Sequence, residues 1–379
     1  EIRLAAPVVD ELTYKPNSSN WKLIDSDSDR IKLVPMHKAH SGRRDYWLWE
    51  LLPNIIKLNR EIKRASIVHA GPSHPFRPFD FIAIVLAVLR RKPTIYVVDI
   101  DQRNTPLMNL RARRWSRKSY LLANYLYVPL MSLQTWFAVR FCSLVLLKSR
   151  KLVNDFGKGR ENVKNFIDAA FDNEHIILER EFGEKLKGLD DKSRPLRLVY
   201  FGRLVSYKGI DRSLEAVAKV VGAHGPVVRF SVIGAGSEEK ALRDLASRLG
   251  ISHIVEFHAL LPFGEPLFSC LRQQDLLLAT PMAEDTPRSA LDAMASAVPI
   301  LAFDTYYYQN LRQSGAVEVV PWPSIDALSR RIAEIAGNKS GLRPAMLSAV
   351  EFARTNTQEI WLQRRYEWTL EAMKRAARK

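Results

Sequence analysis

Tyr200-Phe201-Gly202-Arg203-Leu204-Val205-Ser206-Tyr207-Lys208-Gly209-Ile210-Asp211 closes one short apolar run, Leu196–Phe201, and opens a periodic one. Leu214, Val217, Ala218 and Val221 follow at spacings of three and four, which predicts a helix over 211–221. A buried strand, a basic turn and an amphipathic helix are the start of a parallel βαβ unit. The pattern repeats downstream. Val228–Gly234 is a strand ending in Gly234-Ala235-Gly236, and Glu238–Leu249 a helix; Ile254–Phe257 and Leu276–Thr280 are strands. Glu284-Asp285-Thr286-Pro287-Arg288-Ser289-Ala290-Leu291-Asp292 then leads into a helix predicted over 287–297, and Ile300–Phe303 is a further strand.

The first half alternates in the same way. Ile31–Pro35, Ala65–Ala70, Thr94–Asp99 and Cys142–Leu147 read as strands, and Phe79–Leu89 as a helix packed on a sheet. Gly188–Pro195 is polar and ends in proline, which makes it the best linker in the chain. The fold class is therefore α/β, with two doubly wound Rossmann-like domains facing across a cleft. The expected division is 1–187, linker 188–195, 196–350, and a closing segment 351–379 whose helix, 358–375, crosses back to the first domain. At 379 residues the chain is long enough for two cores.

A formal net charge of +16 suits anionic partners. No zinc-finger spacing and no aromatic single-strand platform is visible, so no nucleic acid partner is expected. Two cysteines, Cys142 and Cys270, form no disulfide framework, and the cytosol fits best. The histidines His37, His40, His175, His224, His253 and His258 show no metal spacing, and no metal is expected. Residues 121–139 carry no charge and follow Arg111, Arg113, Arg114, Arg117 and Lys118. A core helix is the leading reading. Peripheral insertion into an anionic membrane surface through 111–139 and a true span are the alternatives.

The motifs point to a diphosphate site at the carboxyl ends of the second sheet. Arg203 offers a planar fork and Lys208 a compact charge, flanked by Gly202 and Gly209. Gly234 and Gly236 end a strand and open a helix, where backbone N–H groups can meet an anion. The third glycine of a dinucleotide fingerprint is replaced by Glu239, which argues against NAD. With Pro287 first in its helix, Asp292 falls in the second turn, and the amides of Arg288 and Ser289 face the pocket. Glu284, in the preceding loop, can accept from sugar hydroxyls and Asp292 from ribose hydroxyls.

Taken together, 196–310 resembles the family 4 glycosyltransferases of the GT-B architecture. The resemblance implies that Arg203 and Lys208 hold the donor diphosphate, Glu284 the transferred sugar and Asp292 the ribose, with Arg288 and Ser289 helping at the phosphates. It implies a retaining hexosyl transfer from a UDP- or GDP-linked sugar, without cofactor, to a glycan or lipid-linked saccharide held by the first domain, in cell-surface polysaccharide synthesis. The chain departs from the family pattern at three places: Asp292 for the usual Glu, Asp285 for a Gly, and Ala297 for a small glycine. In the first domain, where the family often has a His after a central strand, Asp99-Ile100-Asp101-Gln102-Arg103 stands instead. Asp99 or Asp101 is then the candidate to orient or deprotonate the acceptor, or else a turn cap or a partner of Arg103. His74, Arg77 and Arg103 are the acceptor-side candidates, with His69 read as structural. No glycine-rich loop follows a first strand, which predicts a chain that starts after it. A nucleotide-sugar epimerase of the same fold and an inactive scaffold for glycan, membrane or partner are the rival readings.

Overall fold

The computed structural model describes residues 1–8, 30–38, 42–222 and 228–378. Its second half is a six-stranded parallel sheet: β7 (Leu196–Phe201), β8 (Val228–Ile233), β9 (Val255–His258), β10 (Leu276–Ala279), β11 (Ile300–Phe303) and β12 (Val317–Val320). The spatial order is β12-β11-β10-β7-β8-β9. Each strand pairs in parallel with its neighbours, for example Leu198 with Phe230 and Leu277 with Ile300. The chain winds outward from β7 to β9, then returns to the other side of β7 with β10. The order reverses between β7 and β10, and at such a switch point the loops leave the sheet in opposite directions and open a crevice.

These strands read as unbroken apolar runs because both faces are covered by helices. Leu276, Leu277, Leu278 and Ala279 are all buried, as are Ile300 to Phe303. Covering helices include Ile210–Val221 and Glu239–Arg248, as foreseen, and Ile325–Gly337, Glu265–Arg272 and Arg343–Arg354. Each of the last two has a proline in its first turn, which reads as a breaker in sequence but is tolerated at that position.

The first half holds a four-stranded parallel sheet in sequential order: β3 (Val68–Ala70), β4 (Thr94–Val98), β5 (Leu144–Leu147) and β6 (Val163–Asn165). A parallel pair, β1 (Ile2–Val8) and β2 (Ile31–Lys38), lies apart from its ladder. Val34 and Met36 of β2 pack with Leu58, Ile62, Phe79 and Ala83. A strand thus stands ahead of Ile31–Lys38, where none was expected. Its exposed Ile2 and Leu4 and its Pro7 give no buried-strand signal. The stretch after it, where the glycine-rich loop was sought, lies outside the described residues.

The final helix, Gln358–Ala377, lies against the first half. Gln358 N donates to Phe171 O at 2.9 Å, the Arg365 guanidinium stands 5.5 Å from the centre of the Phe166 ring, and Trp361 and Ala372 are buried in the same core as Leu144 and Leu146.

The uncharged segment forms helices Arg117–Leu122 and Val128–Phe141, joined by a wider π-helical turn at Ala123–Tyr127. It is not a plain core helix. Its polar residues face in: Gln134 is buried, accepting from Ser73 N at 3.1 Å and donating to Ser73 O at 3.0 Å, and Thr135 is buried beside it. Its apolar residues Leu121, Leu122, Tyr125, Leu133 and Trp136 face out. Among the described residues no helix is long and apolar enough to cross a membrane.

Candidate functional site

At the switch point β7 delivers Gly202 and Arg203 and β10 delivers the 280–289 loop. Gly209 locks the two together. Its φ is +67°, and a Cβ there would lie 1.9 Å from Thr280 O, so only glycine fits. Thr280 Oγ1 in turn donates to Gly209 O at 2.7 Å. The turn Ser206–Lys208 is thereby pressed against the end of β10, and Lys208 reaches the carboxylate of Asp285, an ion pair with both side chains 14% exposed. Arg203 is exposed; its Nη2 donates to the Tyr207 hydroxyl at 2.5 Å, with the guanidinium 5.9 Å from that ring's centre. Tyr200, whose hydroxyl donates to Arg203 O at 2.8 Å, fixes the turn from beneath.

Gly234 and Gly236 have a packing role. A Cβ on Gly234 would stand 1.9 Å from Gly202 O, and one on Gly236 2.2 Å from Leu204 O. The two glycines let the loop after β8 lie on the loop after β7.

Glu284 and Asp292 are both buried, 8% and 5% exposed. Glu284 Oε1 accepts from Tyr306 N and from Asn104 Nδ2, each at 3.3 Å. Burial pushes its carboxyl up to about 7, against those two hydrogen bonds. Asp292 is likewise raised to about 7 by burial, only partly offset by Arg288, and its Oδ1 has no hydrogen-bond partner among the described residues. A buried carboxylate without a donor is a costly arrangement that a ligand bearing hydroxyls would relieve. The helix carrying Asp292 is Ser289–Ala295, so Pro287 lies ahead of it instead of opening it, and Asp292 falls in its first turn, not its second. Tyr307 holds the extra loop residues, its hydroxyl donating to Pro287 O at 3.0 Å. Ala297 takes φ +54° while fully buried, the backbone that explains a glycine there in the family pattern. Lys208, Asp285, Pro287 and Ser289 line one small cavity with Tyr200 and Tyr308.

Several contacts join this site to the first half. Asn104 reaches Glu284, Arg114 donates to Ser206 O, and Arg288 Nη2 pairs with Asp168 at 2.6 Å. Lys148, buried at the end of β5, lies 3.7 Å from the same Asp168 carboxylate, and burial lowers its pKa while Asp168 pulls it back up. Asn104, Lys148 and Asp168 were missed in sequence. Lys148 follows β5 directly and Asp168 lies three residues past β6, so the rule that ligands gather at carboxyl strand ends was the available signal. The Arg288 guanidinium is engaged by Asp168.

Of the two first-domain acids, Asp101 is buried and committed. Both its oxygens take the Arg103 guanidinium, at 2.8 and 2.6 Å, and Oδ1 also caps Arg103 N at 3.2 Å. Arg103 further pairs with Asp155 at 2.7 Å. This is the cap-and-pair arrangement, which leaves Asp99 as the acid open to a substrate. Asp99 is exposed and lines a groove with Tyr127, Met131 and Phe156, and a second cavity with His69, Asp168, Arg288 and Arg365. His69 is thus an exposed cleft residue instead of a structural one. The His74 ring stands 5.2 Å from Tyr127 of that groove, and Arg77 lies over Tyr46. No group of three or more His, Cys, Asp or Glu side chains among the described residues is placed to hold a metal; His40 and His224 lie outside them.

Residues 182–349 match the family of the glycosyl transferases group 1. An uncharacterized glycosyltransferase of Haemophilus influenzae is 30% identical over 120 residues, 32% of each chain. A colanic acid biosynthesis glycosyltransferase of Salmonella typhimurium, WcaL, described as putative, is 26% identical over 149 residues, 38% of this chain and 36% of that one. The chain thus spans about a third of these curated relatives. The fold is GT-B: HepE of Anabaena, solved in complex with UDP, superposes with a TM-score of 0.62 at 16% identity, over 90% of this chain and 86% of that one. WaaG, a glycosyltransferase involved in lipopolysaccharide biosynthesis, gives 0.57 at 17% over the same shares.

Proposed function

We propose that the chain is a retaining hexosyltransferase of the family 4 type. It moves a hexosyl group from a nucleoside-diphosphate sugar, UDP- or GDP-linked, to a hydroxyl of a glycan or lipid-linked saccharide in cell-surface polysaccharide synthesis. Residues 196–350 take the donor and 1–187 the acceptor, joined by 188–195 and tied by 351–379. The protein works in the cytoplasm, peripheral on the inner membrane face through 111–139, without cofactor or metal.

The observation that carries this reading is the pair of buried carboxylates, Glu284 and Asp292, in the loop and helix after β10, beside the Lys208–Asp285 pair at the switch point. Arg203 and Lys208 neutralise the diphosphate as the C1–O bond to it breaks. Glu284 accepts from a sugar hydroxyl and Asp292 from the ribose. As the acceptor oxygen bonds to C1, Asp99 takes its proton, or orients the hydroxyl while the departing diphosphate oxygen takes it. The UDP complex of HepE supports a uridine donor, and Arg203 remains free to turn toward phosphate at the cost of one bond to Tyr207.

A thermal-shift titration with UDP, GDP, ADP and their sugars tests the reading. One diphosphate should raise the midpoint of the wild type and fail to do so in Arg203→Ala. No shift with any of them in a folded protein refutes the donor site. Conversion of donor without acceptor, seen by NMR, would instead favour an epimerase.

A further inference from the structure

Two helical segments of the first domain expose apolar side chains at their amino-terminal ends. In the first, Leu48, Trp49, Leu52 and Ile56 are 60%, 74%, 66% and 54% exposed. In the second, Leu121, Leu122 and Tyr125 are 50%, 58% and 70% exposed. Helix Leu51–Arg64 leads into β3 and helix Val128–Phe141 into β5. Those strands belong to one parallel sheet, so both helices start at its carboxyl edge, the edge that carries Asp99. Aromatic contacts bridge the two starts. Trp47 Nε1 donates to Phe76 O at 3.0 Å, and the His74 ring stands 5.7 Å from Phe76 and 5.2 Å from Tyr127. The charge is one-sided as well. No acid occurs between Asp101 and Asp155, while Arg111, Arg113, Arg117 and Lys118 are exposed just ahead of Leu121. The first patch carries Asp45 and Glu50, so the cationic attraction comes from the second.

We propose that these two patches form one two-point dock for an anionic lipid bilayer, seating the carboxyl edge of the first sheet on the membrane. It extends the membrane contact at 111–139 to Leu48–Ile56. It also narrows the acceptor, on the transferase reading above, to a saccharide whose lipid is held in the bilayer the protein sits on. Exposed Trp, Tyr and Leu beside Arg and Lys match the interfacial region of an anionic leaflet. A second copy of the chain is the poorer occupant, because it would bring the same basic segment against itself.

The test is sedimentation of the full chain with vesicles of phosphatidylglycerol and phosphatidylcholine. Wild type should pellet at low salt and less at high salt. Trp49→Ser/Leu52→Ser and Leu121→Ser/Leu122→Ser should each lower the partition coefficient about tenfold or more, since each removes two exposed side chains of core size. Leu89→Ser is the control. That residue is 75% exposed at the end of a helix running into β4, hence at the opposite edge, and its loss should change nothing. Wild-type binding by Trp49→Ser/Leu52→Ser overturns the two-point dock, and absence of wild-type binding at low salt overturns the membrane as occupant. Self-association abolished by either double variant, with no vesicle binding, assigns the face to a second copy. The UDP thermal shift of every variant is read in parallel. It verifies folding and separates failure of the dock from failure of the donor site.

Discussion

Asn in place of Asp292 should make the free protein more stable and the nucleotide complex less so. Asp292 is 5% exposed with an unpartnered Oδ1, and burial raises its carboxyl to about 7 from an ordinary value of 3.8. Because the folded value is the higher one, the folded state holds its proton longer. The group's contribution to stability is fully present below about pH 4 and is lost as pH rises through about 7. The displacement corresponds to about 4 kcal/mol, which water entry and relaxation reduce to about 2 kcal/mol in practice. Asn keeps the shape and carries no charge, so it escapes that loss. Apo Asp292→Asn should therefore melt on the order of 5 °C above wild type at pH 8, the gain vanishing toward pH 4. Ribose hydroxyls would supply the donors that Oδ1 lacks, so the stabilisation by UDP at pH 8 should fall in the variant. Calorimetric melts with and without UDP at pH 4.5, 6 and 8 read both effects. A melting difference independent of pH, or a variant less stable than wild type at pH 8, would show a carboxylate already satisfied in the free protein. An unchanged UDP shift would remove ribose from this position.

Glu284, raised to about 7 by burial, should make the donor kcat/KM fall about tenfold per pH unit below that value, if the carboxylate form binds the sugar. Glu284→Gln should flatten the profile and lower turnover about a hundredfold, with the UDP thermal shift retained. Asp285 competes with phosphate for Lys208, so Asp285→Asn should tighten UDP binding several-fold by calorimetric titration, its Oδ1 still accepting from Thr286 N. Gly209→Ala should cost about 3 kcal/mol or more in urea unfolding, because its Cβ would meet Thr280 O at 1.9 Å on a backbone of positive φ.

Legibility followed burial. Five strands of the second sheet, cut by polar loops, were readable to within a residue or two, and β12, with Glu318 exposed in its middle, was not. The loops after β7 and β10 were readable too, because ligand residues there must follow strand ends. What escaped was whatever depended on contacts across the chain. Asp101 and Asp99 are equivalent in the sequence, and only the packing of Arg103 separates them. Gly234 and Gly236 look like a phosphate turn, and the sequence does not show that one loop also lies on another there. Pro266 and Pro344 read as breaks and open helices. The apolar segment after Leu121 reads as core because hydropathy counts residues and not faces, and here Gln134 takes the inside.

The departures from the family pattern acquire a physical sense once the site is assembled. Asp285, where a glycine is usual, gives Lys208 a partner in the free protein, so one cation of the proposed diphosphate site would be held in place before donor arrives. Arg288 is held by Asp168 in the same way, and Arg203 by Tyr207. The carboxylates are treated oppositely: Asp292 has no donor on Oδ1, and Glu284 has two long ones. A donor molecule would thus exchange existing partners at its phosphates, for little net gain, and relieve desolvation at its ribose and sugar. Selectivity for a nucleotide with its sugar attached, over bare phosphate, follows from that imbalance. The same imbalance requires donor binding to release protons near pH 7, since new hydroxyl donors lower both raised carboxyls. Calorimetry of UDP-sugar binding in buffers of different ionisation enthalpy should detect that release in wild type and find it reduced in Asp292→Asn. Proton uptake on binding would contradict the placement of hydroxyls against these two acids.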